Sequence, residues 1–491
     1  MGLDFESRIF KKEAVYLGKE KEYIVKGGRQ LFSKLKQAFM GINQIGVIGW
    51  GSQGFAQSQN LRDSLKGTGI NVKVGLRKGS ASISSAEKAG FSANTNGIGE
   101  LLQVVAESDL VIILISDAAQ VELYPEIIKN IKPGATLGFS HGFLLGYINT
   151  EGISFPDNIN IIGVCPKGMG LSVRRLYEQG KEIGGAGINT SFAIHRDVTG
   201  NAVDYALGWS IAIGAPFSFI TTLENEYKSD IFGERGILLG AVYGVVESLF
   251  MRYISHGMNS KHAYLSTVES IVGPISRLIS KKGLLAVYEF FHGNEKKIFE
   301  KAFCATYNPA LGLLYEIYDE VDTGNEIRSI LMAVKRTELY PMTKIENTKM
   351  WQVGNKVREH RMNDNIQLHP FTAGVYLAII TAQIDILKEK GHAYSEIANE
   401  SVIEAVDSLN PYMHARGLSY MIDNCSITAR FGARKWAPRF HYMLEEQVYP
   451  QIDYIYKINQ ELIQYFTDHP IHGVLDTCAK LRPSVDIYVE K

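Results

Sequence analysis

The first residues arranged for chemistry in this chain are glycines. The run Ile45-Gly46-Val47-Ile48-Gly49-Trp50-Gly51-Ser52-Gln53-Gly54 sets G-x-G-x-x-G between a short apolar stretch and a helix-like one. In that context Gly49 permits a tight turn and Gly51 lets backbone approach a pyrophosphate. Gly54 allows close helix packing, and the helix N-terminus, with Gln53 in its first turn, faces the phosphates. The next apolar run ends in Arg77-Lys78-Gly79-Ser80-Ala81-Ser82. NAD enzymes usually place an acid there for the ribose 2′-hydroxyl. A cation followed by two hydroxyls instead suits the 2′-phosphate of NADPH, with Arg77 pairing or stacking and Ser80 and Ser82 donating. The plainer alternative is a solvated basic turn with a serine capping a helix. Ser116, in Ile115-Ser116-Asp117, can line the same crevice, although capping the next helix explains it equally well.

Carboxylates form the second group. Asp230 and Glu234 are four residues apart, and Glu396, Glu400 and Glu404 repeat at the same interval in a largely apolar segment. Spacing alone favours solvated helix faces for both sets. If buried, such pairs need a partner, because two unit charges 4 Å apart repel by about 4 kcal/mol at an effective dielectric of 20. Mg²⁺ removes that penalty and leaves positions for water and substrate, and a two-ion site acts as a Lewis acid on an α-keto-alkoxide.

The elements that must hold these residues change character along the chain. From about residue 40 to 215, strand-length apolar runs (Ile45–Ile48, Val72–Leu76, Leu110–Ile115, Thr136–Phe139, Ile161–Cys165) alternate with helical patterns such as Gly54–Leu65 and Gln120–Asn130. That alternation predicts an α/β Rossmann-type domain with a mostly parallel sheet over residues 1–222. From 223 to 491 apolar residues recur at three- and four-residue spacing, which predicts an all-α domain. Gly240-Ala-Val-Tyr243 and Ala373-Gly-Val-Tyr376 hint at a repeated helical unit. The 491 residues carry 51 Lys plus Arg against 52 Asp plus Glu, so no electrostatic footprint for nucleic acid or an anionic membrane stands out. The longest strongly apolar run, Val111–Ile115, is too short for a bilayer. Cys165, Cys304, Cys425 and Cys478 are scattered and read as reduced thiols, with cytosol the simplest address and a plastid-type organelle the alternative.

Seven segments together resemble ketol-acid reductoisomerase in its long, plant-like form: Gly46–Gln53, Leu76–Ser82, Phe139-Ser-His141-Gly-Phe, Cys165-Pro-Lys167-Gly, Asp230–Glu247, Tyr394–Ala415 and Asp423-Asn-Cys-Ser426-Ile-Thr-Ala-Arg430. The resemblance runs from about Phe5 to Pro438. One departure is Gly54, where plant-like members often carry alanine. The resemblance implies that Asp230 bridges two Mg²⁺ ions with Glu234 on one of them, and that Glu400 and Glu404 are ligands or substrate contacts. It further implies that Ser426 hydrogen-bonds substrate, Lys167 positions a water or substrate oxygen, and His141 lies near the nicotinamide. Taken alone, His141 and Lys167 read as a structural histidine and a surface lysine, although both fall at strand ends where a ligand crevice opens. A duplicated, knotted helical half and a homodimer or larger homo-oligomer are also implied.

The implied reaction is Mg²⁺-dependent alkyl migration in 2-acetolactate or 2-aceto-2-hydroxybutyrate, followed by reduction by NADPH to a 2,3-dihydroxy acid of branched-chain amino acid synthesis. Two rivals remain at this level. A metal-free β-hydroxyacid dehydrogenase would use a lysine and no carboxylate cluster. A non-catalytic NADPH-sensing protein would use its helices for assembly only. The acid pairs argue against both.

Overall fold

The computed structural model describes residues 3–181, 187–362, 366–455 and 457–482, so the last residues of the expected helical domain, 483–491, lie outside the described part. The chain divides into two compact units, the first running to Tyr227 and regaining the chain at Thr477, the second beginning at Lys228.

The first unit is built on ten strands: β1 (Glu13–Leu17), β2 (Glu20–Lys26), β3 (Gln44–Ile48), β4 (Asn71–Leu76), β5 (Ile98–Glu100), β6 (Leu110–Ile113), β7 (Thr136–Phe139), β8 (Asn160–Pro166), β9 (Thr190–Arg196) and β10 (Phe217–Thr221). They form one sheet in the order β1-β2-β10-β9-β8-β7-β6-β3-β4-β5. From β5 to β8 all neighbours are parallel. That six-strand block has the Rossmann order, with its reversal between β3 and β6, where ligands bind beyond the strand ends. Parallel strands covered on both faces need apolar side chains on both, and every residue of β6, Leu-Val-Ile-Ile, is buried. The pleat divides them: Ile45 and Val47 join one core layer and Ile48 the other.

Three features depart from the sequence expectation. The hairpin β1–β2 and the strands β9 and β10 have no counterpart in the expected strands, and the hairpin joins the sheet through antiparallel pairing of β2 with β10. β5 is only three residues long, too short to show alternation. β6 ends at Ile113, two residues before the expected end, which leaves Leu114 and Ile115 in the crevice loop.

The second unit is helical, with no strand among its described residues. One series of elements occurs twice. A long helix (Gly240–Ser255, then Pro370–Glu389) leads to a short one (Ser260–Tyr264, then Tyr394–Ala398). Two π-helical turns follow (Leu265–Glu269 and Ile271–Ile275, then Asn399–Ile403 and Ala405–Leu409), then a helix ended by a positive-φ glycine, Gly283 or Gly417. Each long helix packs at a glycine on a helix that follows the other copy of the series, Ile427–Met443 or Gly293–Asp322. A Cβ on Gly244 would lie 2.1 Å from the Ala437 carbonyl oxygen, and one on Gly374 would lie 2.5 Å from that of Phe299. Leu223–Ser255 and Pro370–Glu389 are apolar enough to cross a membrane, but 72% and 83% of their apolar windows are buried inside the protein, as core helices are. All four cysteines are free thiols.

Candidate functional site

The glycine turn follows β3 directly. Gly49 takes φ 111°, and a Cβ there would meet the Leu114 carbonyl oxygen at 2.6 Å, so both conformation and space require glycine. The Ser52–Ser64 helix starts at once behind it. A Cβ on Gly54 would lie 2.5 Å from the Gly49 carbonyl oxygen, so alanine at this position in this chain requires the turn to shift. Gly51 is the residue before the helix, with extended backbone and exposed to solvent. These are the dimensions of a pyrophosphate cradle, with helix N–H groups behind it. Gln53 turns the other way: its Nε2 donates to the Gly168 carbonyl at 2.9 Å, joining the cradle to the Lys167 loop.

Arg77 is exposed just past β4. Its carbonyl accepts from the Ser80 N–H at 3.0 Å, closing a tight turn. Ser82 precedes the Ile83–Lys88 helix without a side-chain cap bond, and Ser116 likewise precedes the Asp117–Asn130 helix without one. Capping therefore leaves both hydroxyls available to a ligand. Trp50, which sequence reasoning passed over, donates from Nε1 to Ser85 Oγ at 3.0 Å and ties the cradle to this second turn.

A buried polar cluster lies beyond β7 and β8. Lys167 follows β8, and His141 sits between β7 and the Phe143–Thr150 helix. Both approach Glu226, which sequence reasoning also missed. Lys167 Nζ is 3.3 Å from Glu226 Oε1, His141 Nδ1 is 3.5 Å from Oε2, and the Gly142 N–H donates to Oε2 at 2.6 Å. Burial by itself would raise the Glu226 pKa. The charges of Lys167 and His141, with the backbone donor, overcome that and hold it down to about 2. Glu226 therefore stays ionised. The signal that could have found it is periodic: Glu226 stands one helical turn before Asp230, as Asp230 stands before Glu234, all on the Leu223–Arg235 helix.

The second unit gathers the acids. Ligand oxygens of Asp230, Glu400 and Glu404 all lie within 4.8 Å of one another. Glu400 is fully buried, Glu404 is 9% exposed, and Glu396 is 1% exposed, so the solvated-face reading does not describe this segment. Glu400 and Glu404 lie on or beside π-helical turns, a wider geometry that recurs at functional sites. Glu396 accepts from Ser229 at 3.1 Å and meets His392 Nδ1 at 2.9 Å. Three carboxylates brought together in this way suit a hard divalent cation with oxygen ligands. Glu234 lies outside that trio. Its carboxylate is 2.6 Å from the Arg235 guanidinium, which is fully buried and also binds Glu326 at 2.9 Å. Ser426 caps the Ile427–Met443 helix by accepting from the Ala429 N–H at 3.0 Å, a bond that leaves its hydroxyl proton for another acceptor.

Comparison with known proteins follows the same division. Residues 40–217 match the family model for the acetohydroxy acid isomeroreductase NADPH-binding domain, and residues 223–363 and 370–460 match the ketol-acid reductoisomerase C-terminal domain. The chain is 57% identical to the chloroplastic ketol-acid reductoisomerase of Pisum sativum, over 100% of this chain and 86% of the relative. It is also 57% identical to the chloroplastic enzyme of Spinacia oleracea, over 99% of this chain and 83% of the relative. Among solved structures, an NADH-preferring ketol-acid reductoisomerase from an uncultured archean superposes with a TM-score of 0.56 at 24% identity, covering 65% of this chain and 95% of that one, a likeness of fold. A Rossmann-type nucleotide unit followed by a helical unit rich in buried carboxylates, matched in both halves, makes this chain a member of the ketol-acid reductoisomerase family.

Proposed function

We propose that the protein catalyses Mg²⁺-dependent alkyl migration in 2-acetolactate or 2-aceto-2-hydroxybutyrate, followed by NADPH reduction to the 2,3-dihydroxy acid. The observation that carries this reading is the convergence of Asp230, Glu400 and Glu404. Those three, with Glu234, are the residues assigned to hold two Mg²⁺ ions. The ions would supply Lewis-acid stabilisation of negative oxygen in both steps, and NADPH the hydride. The substrate tertiary hydroxyl must lose a proton before migration. Lys167, paired with ionised Glu226, is suited to donate to a substrate oxygen, so the departing proton is assigned to a carboxylate of the cluster. Ser426 donates its hydroxyl to substrate, and His141 borders the nicotinamide. Gly49, Gly51, Gln53 and Gly54 frame the pyrophosphate, while Arg77, Ser80 and Ser82 select the 2′-phosphate and Ser116 lines the crevice.

The same reading takes the repeated helical series as a duplication, with the threaded connection the resemblance implies, and assembly as a homodimer or larger homo-oligomer. The two plant relatives are chloroplastic, which favours the plastid-type address over the cytosolic one. A second reading, a metal-free β-hydroxyacid dehydrogenase, draws support from the buried Lys167. One assay separates them: NADPH oxidation with acetolactate before and after removal of divalent metal. Turnover that vanishes with the metal and returns with Mg²⁺ is expected. Metal-independent oxidation would replace this reading with the second.

A further inference from the structure

The first copy of the repeated helical series does not reproduce the acidic cluster of the second. In the order of the repeated elements Ser266 stands where Glu400 stands and Ser270 where Glu404 stands, while the fully buried Glu269 ends its π-helical turn. Glu269 is thus the one acid in the two π-helical turns of the first copy. Two cations fill the gap in charge. Arg358 Nη1 is 2.8 Å from Glu269, Arg361 also pairs with it, and both guanidiniums donate to the His414 carbonyl. Two arginines against one carboxylate leave a net positive charge where the other series is negative.

Beside this pair is a cavity of about 690 Å³, within the size range of small-molecule sites. Lys261, His262, His360, Arg361 and His369 line it, and Glu295 is the one acid among its described lining residues. The rest of its lining joins apolar residues, among them Leu265, Ile298 and Val357, with Ser266 and Gln367. The Arg361 side chain is only 4% exposed, and its Nε is buried without a hydrogen-bond partner. None of Asp230, Glu400 and Glu404 lines this cavity.

We infer that this cavity is a second binding site, taking a small aliphatic carboxylate without a metal ion. The carboxylate pairs with Arg361 and the Lys261–His360 rim, and the hydrocarbon body covers the apolar wall. A bulky, strongly hydrated anion such as phosphate would leave that wall unused. The inference stands on the cavity itself and does not require the reaction proposed above.

The test is isothermal titration calorimetry of the full chain, freed of metal on a chelating resin, with isovalerate as probe and inorganic phosphate as competitor. Binding of one isovalerate per chain is expected, weakened by about tenfold or more in Lys261→Glu and in His360→Glu, a loss typical of placing a negative charge at a partly desolvated anion contact. Asp230→Asn should leave binding unchanged. With Mg²⁺ and NADPH restored, turnover by the two rim variants should match wild type. Absence of heat with isovalerate overturns the inference. So does binding lost in Asp230→Asn but unaffected by the rim variants, and so does displacement by phosphate at equal concentration.

Discussion

Lys167 and Glu226 form a buried ion pair, 3.3 Å apart with each side chain 1% exposed, at the ends of two elements distant in sequence. Because neither charge reaches water, each depends on the other. Glu226→Gln keeps an acceptor near the Gly142 N–H but leaves the lysine without its counter-charge. Breaking one partner of such a pair costs about 3–5 kcal/mol. Lower thermal stability is expected, with kcat down by about a hundredfold or more, the scale of a misplaced proton donor. Steady-state kinetics with a thermal scan would check both. A variant with wild-type kcat would remove Glu226 from the reaction.

Asp230→Asn should abolish isomerisation, since the amide withdraws a charge from the trio formed with Glu400 and Glu404. NADPH affinity should survive, because Asp230 lies outside the glycine turn. Fluorescence titration of NADPH alongside acetolactate turnover gives both values. Near wild-type conversion would make the metal assignment wrong.

Arg77→Asp combined with Ser80→Asp should move cofactor preference toward NADH. The two acids repel the 2′-phosphate and can accept from a free ribose hydroxyl. The ratio of kcat/KM for NADPH over NADH should fall by about tenfold or more, one ion pair's worth at a partly exposed site. An unchanged ratio would place selection elsewhere in the turn.

Burial pushes the His369 imidazole down to about 4, and its Nδ1 meets the Tyr253 hydroxyl at 3.0 Å. Above pH 6.5 it is neutral both folded and unfolded and contributes no pH dependence. As pH falls from 6.5 toward 4 the unfolded chain takes up the proton first, so stability declines across that window. The loss is about 2 kcal/mol after allowance for partial exposure. Urea unfolding at pH 7 and pH 4.5 should show a smaller difference for His369→Gln than for wild type. Equal differences would show that His369 does not carry this dependence.

The sequence revealed those parts of the site in which a local rule reports function. Gly49 and Gly54 have no room for a Cβ, and that constraint leaves its mark in the residue types themselves. The turn after β4 carries a similar local mark, a cation where an acid would be used, and its reading as the site of cofactor choice belongs to the proposal. Burial was not legible. Glu396, Glu400 and Glu404 have the spacing of a solvated stripe, and only tertiary packing puts them inside. Nor can four-residue spacing reveal a π-helical turn. Glu226 escaped notice because its partners, Lys167 and Gly142, come from other strands' ends, and no pattern within its own helix names them. The β1–β2 hairpin was missed because its alternation is charged and short, and its pairing partner is remote.

That remote pairing has a bearing on biosynthesis. β2 meets β10 through Lys26, Val25 and Ile24 opposite Phe217, Ser218 and Phe219. A nascent hairpin therefore emerges from the ribosome with one hydrogen-bonding edge bare, and it stays bare until nearly the whole nucleotide unit has been synthesised. Contacts closed over so long a loop form late, and an unsatisfied edge in the interim invites pairing with other chains. The two ends of this unit thus seal each other last, which makes chaperone protection of the N-terminus most important while the middle of the protein is being made.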